Sequence, residues 1–185
     1  MKLLWLDFET TGLGPRESDI LEVASGVAEF DRPFEVKEWR RECLYNSGPV
    51  PRIDPKVLEM HDKSGLWEEC RKSQLFVKDI EDMLLGMIDI DTELNNTTTL
   101  AGSSVHFDLS FIREKMPRLA KQLHYRVYDV SSIVLFCRSL GMPKPEKSLA
   151  HRALEDIQES VELAKKCTDW FMPCGDYFFM REGRG

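Results

Sequence analysis

The chain has 185 residues, enough for one domain with a sizeable core and cramped for two. Apolar residues make up 42% and charged residues 31%, ordinary for a soluble protein, and no apolar run approaches the roughly 20 residues that span a bilayer. The net charge of −7 argues against a protein that coats long nucleic acid through a broad basic surface, but it leaves room for an enzyme that grips one chain end.

The chain opens MKLLWLDFETTG, with one Lys and a short apolar run followed at once by acids. A signal peptide is not expected there, and a cytoplasmic or otherwise intracellular location is. Residues 2–8 read as a strand, and the unbroken run Leu3, Leu4, Trp5, Leu6 marks a central strand covered on both faces. Residues 20–30 and about 36–45 read as the next two strands, joined in an antiparallel meander. Gly48, Pro49, Pro51 and Pro55 punctuate a loop before a helical stretch. Leu75, Phe76, Ile80, Met83, Leu84 and Met87 lie near a 3.6-residue period and predict a helix over about 74–90. Thr97 to Leu100 predict a short strand ended by Gly102; Leu109, Phe111 and Ile112 begin a helix. Val127 to Val130 predict another short strand, residues 131–140 a helix, and Leu154, Ile157, Val161 and Ala164 a long final helix. Three strands followed by alternating helices and strands indicate an α/β domain with a mixed sheet. The five cysteines form no C-x-x-C pair and read as reduced thiols; no Cys or His pair has zinc-ligand spacing.

Asp7 and Glu9 stand two apart on the first predicted strand, so both carboxylates project to one face at its end. Two like charges placed there are costly unless a cation compensates, and a hard divalent ion with oxygen ligands is the simplest one. The alternative is that the strand has already ended and both acids are solvated. Thr10, Thr11 and Gly12 follow, and a glycine permits a sharp exit that leaves the acids at a cleft edge. Asp108 follows a second strand–glycine unit, LAGSSVHFD, where an acid is also explained as a helix cap or first-turn residue. Asp156 lies inside the final helix, where taken alone it reads as a polar-face residue. His151 precedes Asp156 by five residues, a helical rotation of about 140°, so the two cannot share one helix face. His151 is better placed on the loop leading into that helix, over a site whose floor includes Asp156. Basic residues concentrate at Arg113, Lys115, Arg118, Lys121 and Arg126, a run that solvated helix faces explain as well as nucleic acid does.

Taken in order, DFETTGL, GSSVHFDLSFI and HRALEDIQES resemble the DEDDh 3′→5′ exonucleases, whose fold is ribonuclease H-like. HDKSGL at 61–66, and above all HYRVYDVSS at 124–132, resemble the oligoribonuclease branch, which trims very short RNA to mononucleotides. The resemblance runs from about residue 3 to 171. It implies a mixed five-stranded sheet flanked by helices, a single exonuclease domain over 1–172 and a C-terminal tail over 173–185. It also implies two divalent cations, Mg²⁺ or Mn²⁺, with Asp7, Glu9 and Asp156 on one, Asp7 and Asp108 on the other, and His151 as general base. Leu13 is similar to the family's wedge beside the terminal bases. Ser104, Tyr125, Arg126 and Ser131 resemble the set that caps the 5′ phosphate of a dinucleotide, the latter part coming from the partner of a homodimer. His61 is a further substrate-contact candidate. One position departs: the family's base-stacking Trp, five residues before the His of H-x-x-S-G-L, is Lys56 here, with Trp67 nearby in sequence.

These implications give a two-metal-ion exoribonuclease acting on short single-stranded RNA. An exonuclease on DNA or longer RNA ends is the alternative that Lys56 favours and that Tyr125, Arg126 and Ser131 oppose. A non-catalytic binding module would be expected to show an eroded site, whereas all five catalytic positions are present.

Overall fold

The computed structural model describes residues 1–48, 53–88, 98–146 and 151–171. Five strands, β1 (Lys2–Thr10), β2 (Ile20–Glu29), β3 (Trp39–Cys43), β4 (Thr98–Gly102) and β5 (Leu123–Asp129), form one mixed sheet in the order β3-β2-β1-β4-β5. β1, β2 and β3 make the expected antiparallel meander, while β4 and β5 add in parallel on the other side of β1. β1 is therefore central, as its apolar run requires. Leu4, Leu6 and Phe8 point into one core and Leu3 and Trp5 into the opposite one.

Helices α1 (Pro55–Lys63), α2 (Leu66–Lys72), α3 (Val77–Met87), α4 (His106–Lys115), α5 (Pro117–Gln122), α6 (Val130–Ser139) and α7 (Ala153–Phe171) flank the sheet. Ile80 and Leu84 of α3 and Phe111 and Ile112 of α4 cover the Leu4–Leu6–Phe8 face. Ile157, Val161 and Ala164 of α7 cover the Leu3–Trp5 face. A helix on each face of a mixed sheet is the fold class the element order indicates.

Among the boundaries that differ from expectation, two have a clear local cause. β5 begins at Leu123 rather than Val127, because its first residues lie on a sheet edge where exposed polar side chains break the apolar pattern. α3 begins at Val77, where the Asp79 carboxylate accepts the Phe76 N–H at 2.8 Å and fixes the start. Cys43, Cys70, Cys137 and Cys167 are free thiols, as expected. Cys174 and the tail from residue 173 lie outside the described residues. No helix among those described is long and apolar enough to cross a membrane.

Candidate active site

On the α7 side of β1 the alternation Leu3, Trp5, Asp7, Glu9 runs from apolar to acidic, so the strand that begins as core ends as a site. The parallel pairing of β1 with β4 reaches only Trp5 opposite Ala101, and β4 ends at Gly102. A β-carbon on Gly102 would meet the Leu6 carbonyl oxygen at 2.8 Å, so only glycine allows this close approach. The β1–β4 pairing goes no further, and the acids lie at the carboxyl ends of these strands, the usual ligand position in such sheets. On the other side the register with β2 shifts between Glu9 and Thr10, a bulge that turns the strand end.

Asp156 sits one turn into α7 and joins the acids of β1. Ligand oxygens of Asp7, Glu9 and Asp156 all lie within 4.8 Å of one another. Asp108, in the first turn of α4, is 2% exposed, and its Oδ1 accepts the Phe8 N–H at 3.0 Å, where β1 has left β4. His151 precedes α7 in the left-handed region, with φ 51°, close enough to Asp156 for its charge to favour that carboxylate. The loop position expected for it is the one it takes.

The acids are electrostatically unfavourable together. Burial, then Asp108, Glu9 and Asp156, holds the Asp7 carboxyl well above the ordinary carboxylate range. Burial and then Asp156, Glu22 and Asp108 push Glu9 up to about 8. Burial raises Asp108 to about 7, against the opposing Phe8 hydrogen bond. Asp156 is raised by burial to about 6, with His151 acting in the opposite direction. Oxygen-only donors with this much mutual repulsion fit hard divalent cations, whose charge would relieve it.

A family model described as exonuclease matches residues 4–164. An oligoribonuclease of Corynebacterium glutamicum is 38% identical over 164 residues, covering 86% of this chain and 75% of that protein. A probable oligoribonuclease of Schizosaccharomyces pombe is 36% identical over 162 residues, covering 86% of this chain and 64% of that one. The chain belongs to the exonuclease family, in its oligoribonuclease branch. A zinc-bound complex of E. coli exonuclease I with single-stranded DNA shares the fold at TM-score 0.69 and 17% identity. That match covers 97% of this chain and 43% of the larger protein, so the chain spans less than half of exonuclease I.

Within this exonuclease the remaining candidates fall into separate groups. Leu13 is 83% exposed on the turn after β1, which is pinned by Thr11 N–H to the Asp19 carbonyl at 2.9 Å and Asp19 N–H to Thr11 Oγ1 at 2.8 Å. Gly12 there serves closeness rather than a left-handed bend, since a β-carbon would lie 2.8 Å from Ser18 Oγ. Ser104 and Ser131 are brought together, their hydroxyls 3.0 Å apart and both backbone N–H groups donating to Asp129 Oδ1 at 3.0 Å. Tyr125 and Arg126 project from the edge strand β5, with the guanidinium carbon 4.8 Å from the Tyr125 ring centroid.

His61 requires correction as a direct substrate contact: it is fully buried beneath the site. Its Nε2 is 2.9 Å from the Thr10 carbonyl oxygen and its Nδ1 is 3.9 Å from Glu9 Oε2, so it braces the strand end. Burial lowers its pKa. Trp67 cannot stand in for the missing stacking residue either. It is 2% exposed, edge-on to His61, while Lys56 is exposed at the start of α1. Asp129, Glu22 and Arg152 belong to the site region and escaped the sequence reading. The D-V-S-S helix start was the available signal for Asp129.

Proposed function

We propose that this chain is a 3′→5′ exoribonuclease that hydrolyses short RNA, down to dinucleotides, to 5′-mononucleotides. The observation that carries the reading is the clustering of Asp7, Glu9 and Asp156 oxygens beside buried Asp108, in a chain of the oligoribonuclease branch. Asp7, Glu9 and Asp156 would hold one Mg²⁺ or Mn²⁺, and Asp7 with Asp108 a second. Bound there, such ions supply Lewis-acid charge that makes water acidic and stabilises the leaving 3′ oxygen. His151 takes the proton of the attacking water on an imidazole nitrogen, the general-base role open to an imidazole placed beside the acids. His61 holds the Thr10 carbonyl in place. Leu13 wedges beside the terminal bases.

Ser104 and Ser131, preset by Asp129, receive the 5′ phosphate of the shortest substrates, and Arg126 and Tyr125 close over it from a second copy of the chain. The homodimer is supported by the edge position of β5 and by exposed apolar side chains, Leu135 and Phe136 on α6, Leu140 just after it and Phe171 at the end of α7. A short-RNA substrate accords with the intracellular location expected from the sequence.

Action on DNA or on longer RNA ends is the second reading, favoured by the exposed Lys56 where a stacking aromatic is expected. Rates on two-, five- and twenty-nucleotide RNA and DNA separate the two. A dinucleotide preference that is lost in Arg126→Ala supports the first reading, and indifference to length supports the second.

A further inference from the structure

His151 occupies the left-handed backbone region, which a residue with a β-carbon keeps only where its surroundings over-determine it. The residues that follow it supply that constraint. Every nitrogen of the Arg152 guanidinium is engaged. Nε lies 3.3 Å from both Glu22 carboxylate oxygens, and Nη1 donates to the Ser64 carbonyl at 3.0 Å. Nη2 donates to Glu22 Oε1 at 2.9 Å and to Glu69 Oε1 at 2.8 Å. The next residue, Ala153, donates its backbone N–H to Glu22 Oε2 at 2.9 Å. Two consecutive residues after His151 are thus tied to one carboxylate, which also satisfies an orphan donor at the start of α7.

Glu22 is suited to act as the fixed point. It is fully buried on β2, directly opposite Glu9 in the strand register, and its second cationic partner is Arg41 of β3, which also reaches Glu69. A carboxylate so close to the metal-site acids would be a candidate ligand in its own right. Its oxygens are instead consumed by Arg152, Arg41 and the Ala153 amide, so its role is mechanical. We propose that Glu22 and Arg152 are positioning residues that latch the backbone behind His151 and present its imidazole to the Asp7–Glu9–Asp156 cluster. The latch is rigid because a planar guanidinium fork meets a buried carboxylate along several directions at once.

This inference rests on the reading of His151 as the general base, and the test keeps the two apart. Steady-state rates on a short RNA are measured for wild type, His151→Ala, Arg152→Ala, Arg152→Lys and the His151→Ala/Arg152→Ala double variant. Mn²⁺ affinity by calorimetry and thermal unfolding are measured alongside. Misplacing a catalytic group by about 1 Å costs on the order of 100-fold, so Arg152→Ala lowers kcat by about that factor while KM and Mn²⁺ affinity hold. Arg152→Lys, with charge but no fork, falls between. In the double variant Arg152→Ala adds less than about twofold to the loss from His151→Ala, because both act through one imidazole. Full additivity overturns the latch, as does a raised KM with kcat kept. Wild-type kcat in His151→Ala overturns the general-base reading itself, and the latch with it. If Arg152→Ala does not fold, Glu22→Gln and Arg152→Lys in the same cycle give the same decision.

Discussion

At the scale of single residues, Asp7, Glu9, Asp108 and Asp156 lie together with raised pKa values, and a bound cation would relieve their mutual repulsion. Removing one of the four relieves repulsion while removing a ligand. Asp7→Ala should therefore lose activity by on the order of 1000-fold, yet metal-free thermal unfolding should shift to the same or a higher temperature. A drop of many degrees would mean that Asp7 is structural. The raised pKa values also fix a pH dependence. In the unfolded chain these carboxyls ionise near pH 4, whereas in the native site Asp156 ionises at about 6, Asp108 at about 7 and Glu9 at about 8. Between those limits the native state binds more protons than the unfolded state, so the stability of chelator-treated protein falls as pH rises from about 4 to about 8. Added Mg²⁺ or Mn²⁺ should raise the melting temperature, and more at pH 8 than at pH 6, because only the ionised acids bind it. Melting curves with chelator and with Mn²⁺ check both signs; stability that climbs steadily with pH in chelator would refute the electrostatic reading.

At the scale of elements, the corner between α1 and α2 holds Trp67 in the interior and Lys56 at the surface. Trp67 packs beneath it, its Nε1 donating to the Leu58 carbonyl at 3.4 Å, and it belongs with Leu21, Leu66 and Cys70 in a small core. Trp67→Ala should cost roughly 3–5 kcal/mol of stability in urea unfolding, and a change in KM with unchanged stability would contradict this. Lys56, exposed on α1, is the position where an aromatic would stack. Lys56→Trp should lower KM for dinucleotides by about fivefold or more, since one base–aromatic stack is worth about 1–3 kcal/mol. The elements that position the acids were legible in the sequence because periodicity reports burial. The run Leu3 to Leu6 marks a two-faced strand, and Leu154, Ile157, Val161 and Ala164 mark the buried stripe of α7. Edge strand β5 was shortened because an edge need not alternate. His61 was misjudged because its partner, the Thr10 carbonyl, is 51 residues away, and a buried histidine has no local signature. The Glu22–Arg152 pair spans 130 residues and is invisible to any local pattern.

At the scale of the whole molecule, the four acids come from the first, middle and last parts of the chain and meet because β1 lies between α4 and α7. Their clustering is a property of the fold, whereas Tyr125 and Arg126 are exposed on β5, the edge strand of the sheet among the described residues. If a second copy supplies them, light scattering should give twice the 21.4 kDa chain mass. Mixing inactive Asp7→Ala with impaired Arg126→Ala should then restore about a quarter of wild-type dinucleotide hydrolysis, through heterodimers carrying one complete site. No recovery after subunit exchange would place Arg126 in the service of its own chain. The most direct test of the central claim follows the products from 5′-labelled RNA of two, five and twenty nucleotides, with Mn²⁺ or with chelator, for wild type and Asp7→Ala. The account predicts metal-dependent release of 5′-mononucleotides from the 3′ end, fastest on the shortest RNA and absent in Asp7→Ala. Cleavage that persists with chelator or in Asp7→Ala, or that begins inside the strand, would contradict it.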